Sequence, residues 1–197
     1  MNRAFYRPAL LAPLAALSLG ACGLNAIPTS EETAKARWAD VQNEYQRRAD
    51  LIPNLVSTVK GYAKQESTVL VGVTQARADA SAVHLSGDDL KDPAKVAAYE
   101  KAQNGVTVAL NQLRPLQEAY PDLKSNANFM ALQSQLEGTE NRITIARRDY
   151  NEAVQGYNTK IRTFPDAIGA KIFYGAKPMV PFQATAANAN AAPSVTF

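Results

Sequence analysis

The sequence predicts an all-α fold: an antiparallel bundle of long helices, three long ones plus a short C-terminal fourth, with coiled-coil-like packing. Three observations predict it. Between Trp38 and Val83 apolar residues recur with a seven-residue step on two interleaved tracks, one through Trp38, Tyr45, Ile52, Val59, Val73 and Ala80, the other through Val41, Leu55, Tyr62, Val69, Ala76 and Val83. A second such run starts at Phe129 and continues through Leu136, Ile143, Tyr150, Tyr157 and Phe164. Turn-forming clusters, Ser86-Gly87-Asp88-Asp89 and Tyr120-Pro121-Asp122, separate the periodic stretches. Alternating steps of three and four keep such residues on one helix face, and a strict repeat of seven winds that face against a partner.

The chain of 197 residues, 46% hydrophobic and 20% charged, has enough apolar material for one domain with a real core. Residues 1–21 hold a basic start (Arg3, Arg7) and an apolar run from Ala9 to Leu19, too short to span a bilayer, which takes about 20 residues. This reads as a secretory signal. Gly20 and Ala21 stand before Cys22, the only cysteine, in the manner of a bacterial lipobox, so cleavage before Cys22 and lipidation of its sulfur are expected. The alternative is an ordinary signal peptide with an incidental cysteine. Gly23 after Cys22 favours an outer-membrane address facing the periplasm, where the cell has two membranes. Loss of Arg3 and Arg7 lowers the formal charge of +3, and no basic patch interleaved with aromatics occurs, so nucleic acid is not an expected partner.

Residues 22–30 are expected to be a tether, with Ser30 capping the first helix ahead of Glu31 and Glu32. That helix is expected to pass Pro53 with a kink and run on to Val83, because the seven-residue register stays in phase across it. Asp92 and Pro93 supply the cap and first-turn proline of a second helix, from about Ala94 to Ala119, with Tyr99, Val106 and Leu113 on its seam. Pro115 predicts a bend, or an end near Arg114 with a restart. Ser125 or Asn126 caps the third helix, which Phe164 and Pro165 end. A fourth from about Asp166 to Phe173 closes a domain of residues 31–175. Residues 176–197 lose all periodicity and are expected to be an irregular, mostly disordered tail, of which Lys177 and Pro178 to Phe182 can dock on the bundle.

Two stretches resemble the LemA family of bacterial envelope proteins. One is Tyr45-Gln46-Arg47-Arg48-Ala49-Asp50-Leu51-Ile52-Pro53-Asn54-Leu55-Val56. The other runs through Tyr120 to Lys124, Glu137 to Ile143, Arg147, Tyr150, Asn151, Tyr157, Asn158, Phe164 and Pro165. The resemblance implies a membrane-held helical bundle with no established enzymatic activity. The family often has a histidine before the glutamate matching Glu66; here Gln65 stands there, so any role of that imidazole is absent.

The residues themselves point away from catalysis. Paired Glu-x-x-His motifs are missing, the single histidine is His84, and no nucleophile elbow or phosphate loop occurs, so no metal, cofactor or enzymatic activity is expected. Two charges interrupt the apolar tracks, Arg48 and Glu66. They are expected to meet opposite charges on other helices and fix register, the alternative being a ligand groove built on Glu66 with Arg142 or Arg147. Lengths supply one more expectation. A second helix of about 26 residues covers only about 39 Å of a first helix about 69 Å long. Trp38, Val41, Tyr45 and Ile52 would then lie on an uncovered seam, a candidate surface for self-association or for an unknown envelope partner, the alternative being that the third helix or the C-terminal segment folds over them within the monomer. The function expected is a lipid-anchored, non-enzymatic scaffold or adaptor, the alternative a small-ligand or peptide-binding module.

Overall fold

A computed structural model describes residues 25–183; the expected signal segment, Cys22 and residues 184–197 lie outside the described residues. The fold is an all-α bundle, as the periodicity predicts. Its helices are α1 (Ala26–Tyr62), α2 (Ser67–Ala82), α3 (Pro93–Asn111), the short α4 (Arg114–Ala119) and α5 (Pro121–Lys124), α6 (Ala127–Lys160) and α7 (Asp166–Gly169), which continues as a π-helical turn, Ala170–Tyr174. Helix α1 passes Pro53 without interruption. It starts at Ala26, inside the expected tether, and Ser30 is not its cap: the Ser30 hydroxyl donates back to the carbonyls of Ala26 and Ile27.

The first long helix does not reach Val83. It ends at Tyr62, and the chain reverses through Ala63 to Glu66 so that α2 packs antiparallel on α1: Arg77 Nε donates to the Ala49 carbonyl at 2.7 Å and Gln42 Nε2 to the Leu85 carbonyl at 3.4 Å. The reversal itself, Ala63 to Glu66, holds no glycine or proline, and the only such residue near it is Gly61 in the last turn of α1. Ala63 is small enough to be buried in the turn beside Val59, Leu70 and Val73, and that burial drives the fold-back. Helix α3 returns parallel to α1, with Lys91 beside Glu31 and Gln103 beside Arg48. Helix α6 runs antiparallel along α1, with Glu140 beside Arg48, Arg142 beside Glu44, and Tyr157 reaching Glu31. The result is an up-down-up-down four-helix bundle, in place of three long helices, with α4 and α5 as the crossover.

Caps fall where the sequence puts them for two of these helices. Asp92 accepts from the backbone N–H groups of Ala94 and Lys95, and Asn126 from that of Phe129. Helix α3 ends at Asn111, Leu113 stands immediately before α4, and Pro115 sits in the first turn of α4, the interruption that Pro115 predicts. The seam of α6 is core at Phe129, Ile143, Tyr150 and Tyr157. Phe164 departs from it: the helix ends at Lys160 and the ring is 82% exposed.

Candidate functional site

The centre of the bundle holds a cation. Arg48 is 2% exposed, and its guanidinium fills four acceptors from two other helices. Nη1 donates to Glu140 Oε1 at 2.8 Å and to Thr107 Oγ1 at 3.0 Å; Nη2 donates to the Gln103 carbonyl and to Gln103 Oε1, both at 2.9 Å. The same guanidinium lies over the Tyr45 ring, 5.0 Å from its centroid. Arg48 therefore meets an opposite charge on another helix, as the seam pattern predicts. Only a fork of N–H groups satisfies this many acceptors at once, so the position demands arginine over lysine. A cleft of about 150 Å3 opens on one side of Arg48 between α3 and α6, next to Glu100, Thr144 and Arg147. A smaller one of about 110 Å3 opens on the other, toward α2 and His84.

The remaining charged positions do not join it. Arg142 pairs with Glu44 at 3.0 Å and donates to Thr139 Oγ1. Arg147 donates to the Gln183 carbonyl at 2.7 Å, lies 3.8 Å from Glu100 and stacks over the Phe182 ring at 4.7 Å. Glu66 sits in the turn before α2 and accepts from the Tyr120 hydroxyl at 3.3 Å. A groove combining Glu66 with Arg142 or Arg147 is therefore not formed: from Glu44, beside Arg142, to the end of α1 at Tyr62 is about 27 Å of helix. Glu66 also meets a phenol and not the cation expected of it.

The expected open seam is closed. Trp38 is 4% exposed, Val41 0%, Tyr45 6% and Ile52 1%. The length argument fails because its first helix included α2, and because the C-terminal segment supplies a cover that helix lengths do not count. Residues 177–183 run extended down the bundle, and Phe182 lays its ring on Trp38 with centroids 5.7 Å apart. Trp38 also meets Tyr99 and Tyr150 at 5.1 and 5.7 Å. Its indole Nε1 has no acceptor, a cost of about 1–3 kcal/mol for enclosing the ring on all sides. Burial raises the pKa of the Tyr45, Tyr99 and Tyr150 phenols above the ordinary value.

A repeated Tyr-Asn pair on α6 holds this strap. Tyr157 and Tyr150 donate to the carbonyls of Lys177 and Val180, at 3.1 and 3.0 Å. Asn158 and Asn151 each use the whole amide, Asn158 bonding both the N–H and the carbonyl of Met179, Asn151 both those of Phe182. Two turns of helix, seven residues, match three residues of extended chain in length, about 10 Å each, so the pairs recur in step with the strap. The signal was in the sequence as Tyr150-Asn151 and Tyr157-Asn158, but only its tyrosines read as core. Gly175, with φ of +53°, makes the turn from the π-helical segment into the strap, a conformation that favours glycine. The strap corrects the expectation of a disordered tail over residues 176–183; the rest of that expectation lies outside the described residues.

A larger groove, about 510 Å3, lies between α3, α4 and α6, lined by Leu110, Leu113, Phe129 and Leu136 with Arg114 and Glu137 at its polar side. No metal-binding cluster of His, Cys, Asp and Glu occurs among the described residues, and none of the described helices is long and apolar enough to cross a membrane.

Comparison with known proteins places this architecture. The chain is 26% identical over 157 residues to magnetosome proteins MamQ 1 and MamQ 2 of Paramagnetospirillum magneticum AMB-1, and to magnetosome protein MamQ of Magnetospirillum gryphiswaldense MSR-1. These alignments take in 72% of this chain and 58% of each relative, so the chain spans well under two thirds of the length of the curated relatives it matches. The profile of the LemA family matches residues 37–197, from just before Trp38 through the strap and past the last motif residue, Pro165. The chain belongs to the LemA family.

Proposed function

We propose that this protein is a lipid-anchored, non-enzymatic helical scaffold of the bacterial envelope, held to the membrane through Cys22. The observation that carries the non-enzymatic part is the saturation of the seam charges: Arg48, Arg142 and Arg147 are each engaged by acceptors of the same chain, which suits a rigid element and not a reacting one. The lipobox before Cys22 supports the anchor, and the magnetosome relatives are named for an assembly and not for a reaction. Mass spectrometry of protein extracted from membranes tests the anchor. The expected product lacks Met1 to Ala21 and carries diacylglycerol on Cys22; a Cys22→Ser protein held by the membrane as firmly as the parent refutes it.

A second reading, a module for peptides or small apolar ligands, has the α3–α4–α6 groove in its favour, since it is larger than the clefts beside Arg48 and has an apolar floor. A Leu136→Arg substitution would block such binding without touching the anchor.

A further inference from the structure

The segment after α6 is turned inside out. In an ordinary amphipathic helix the large apolar residues face the core, but between Asp166 and Tyr174 the buried residues are Gly169 and Ala170, while Ile168, Ile172 and Phe173 are 53%, 69% and 69% exposed. Phe164, 82% exposed, and Tyr174 extend the same patch. The other exposed large apolar residues of the described chain, Tyr62, Val71, Val108, Met130 and Ile145, are single residues scattered over four helices. Five within eleven residues of sequence form a patch, and such patches mark contact surfaces.

Its position names the occupant. Tyr157 reaches Glu31, and Ala170 shares an apolar cluster with Ile27, so the patch sits at the end of the bundle where α1 begins. Asn25 at that end is three residues from Cys22, a span of about 10 Å at most. Residues 160–177 carry Lys160, Arg162, Lys171 and Lys177 against a single acid, Asp166. Aromatic and aliphatic side chains interspersed with cations along one segment suit the interface of an anionic bilayer, where the rings enter the acyl boundary and the cations meet headgroup phosphates. We propose that Phe164, Ile168, Ile172 and Phe173 insert into the membrane surface and stand the bundle end-on against it. The diacylglycerol on Cys22 holds the chain to the bilayer but leaves the bundle free to swivel on its tether, and this patch fixes the orientation.

The inference rests on the Cys22 anchor, and the test separates the two. Full-length protein carrying Phe173→Trp is extracted from membranes, reconstituted into phosphatidylethanolamine–phosphatidylglycerol vesicles, and its emission measured with and without acyl-chain-brominated lipid. Trp38 stays as a buried, unquenched background. The expected result is that the protein floats with the vesicles and loses about a third or more of its emission to the brominated lipid, whereas the parent and a Val71→Trp protein lose none. Flotation without quenching leaves the anchor standing and overturns the patch. Equal quenching of the Val71→Trp protein means the bundle lies flat and overturns the end-on arrangement. A blue-shifted, unquenched reporter with a doubled mass in solution assigns the patch to a second copy and overturns it too. Failure to float overturns the anchor and the inference together.

Discussion

Removing the Arg48 side chain tests how the bundle centre is held. In the Arg48→Ala protein four acceptors lose their donor at once: the Gln103 carbonyl and side chain, Thr107 Oγ1 and Glu140 Oε1. Breaking a buried pair by deleting one partner costs about 3–5 kcal/mol, and the void left by a guanidinium at a site 2% exposed adds to it. The two sides of the pair are not equivalent, because the Glu140 side chain is 39% exposed. Water can take over the Glu140 carboxylate when Arg48 is lost, whereas Glu140→Gln keeps an acceptor but leaves the buried guanidinium without its counter-charge, so it is expected to cost less than Arg48→Ala but still about 1–3 kcal/mol. Arg48→Lys falls in the same range, about 1–3 kcal/mol, because an ammonium cannot reach Glu140, Thr107 and Gln103 together. Urea unfolding followed by circular dichroism and by Trp38 emission gives all three values, and the Arg48→Ala, Glu140→Gln double mutant gives the coupling. Either of two results refutes the reasoning: an Arg48→Ala cost below about 1 kcal/mol, or Glu140→Gln as costly as Arg48→Ala. The first makes the guanidinium solvated, and the second makes the ion pair, not the neutral acceptors, its main hold.

Phe182→Ala is expected to cost about 3–5 kcal/mol, as other buried aromatics do on truncation, and to shift Trp38 emission to the red as the cover leaves the indole; unchanged emission would mean that the strap does not seal Trp38 in solution. At high pH the buried phenols set the limit of stability. Tyr99 and Tyr150 have folded pKa values raised by burial, and Tyr157 is pushed up to about 12 by burial and by Glu31, so their stabilisation is complete below the unfolded value of about 10 and is lost as pH rises toward the folded values. Tyrosinate absorbance at alkaline pH should therefore rise together with loss of helix, and three phenols titrating near pH 10 with the helix signal intact would contradict their burial.

The LemA motifs and the seven-residue periodicity together made the family and the fold class legible, because a helix face that must be buried writes itself into spacing. Trp38, Tyr45, Ile52, Ile143, Tyr150 and Tyr157 were readable as seam residues on that basis alone, and the caps at Asp92 and Asn126 from local hydrogen-bonding chemistry. Arg48 was readable as the seam's exception. Its acceptors were not, since Gln103, Thr107 and Glu140 come from helices 55 to 92 residues away and carry no mark of convergence.

What the sequence by itself determined is which faces are apolar, and so that this chain folds as an antiparallel helical bundle. What only the tertiary structure decided is where those faces meet. The reversal at Ala63 is announced only by Gly61 in the turn before it, a residue that helices also tolerate in their interior, and what completes it is the burial of Ala63 in one cluster with Val59, Leu70 and Val73. The same holds for the strap: residues 177–183 have no periodicity, and their hydrogen bonds go to Asn151, Asn158, Tyr150 and Tyr157 on another element. Extended chain without a neighbouring strand is ordered by groups that the fold brings to it, here these side chains and the Leu90 carbonyl that accepts from the Val180 N–H, so the sequence could offer Lys177 and Pro178 to Phe182 as a docking segment but not the partners that hold it over Trp38.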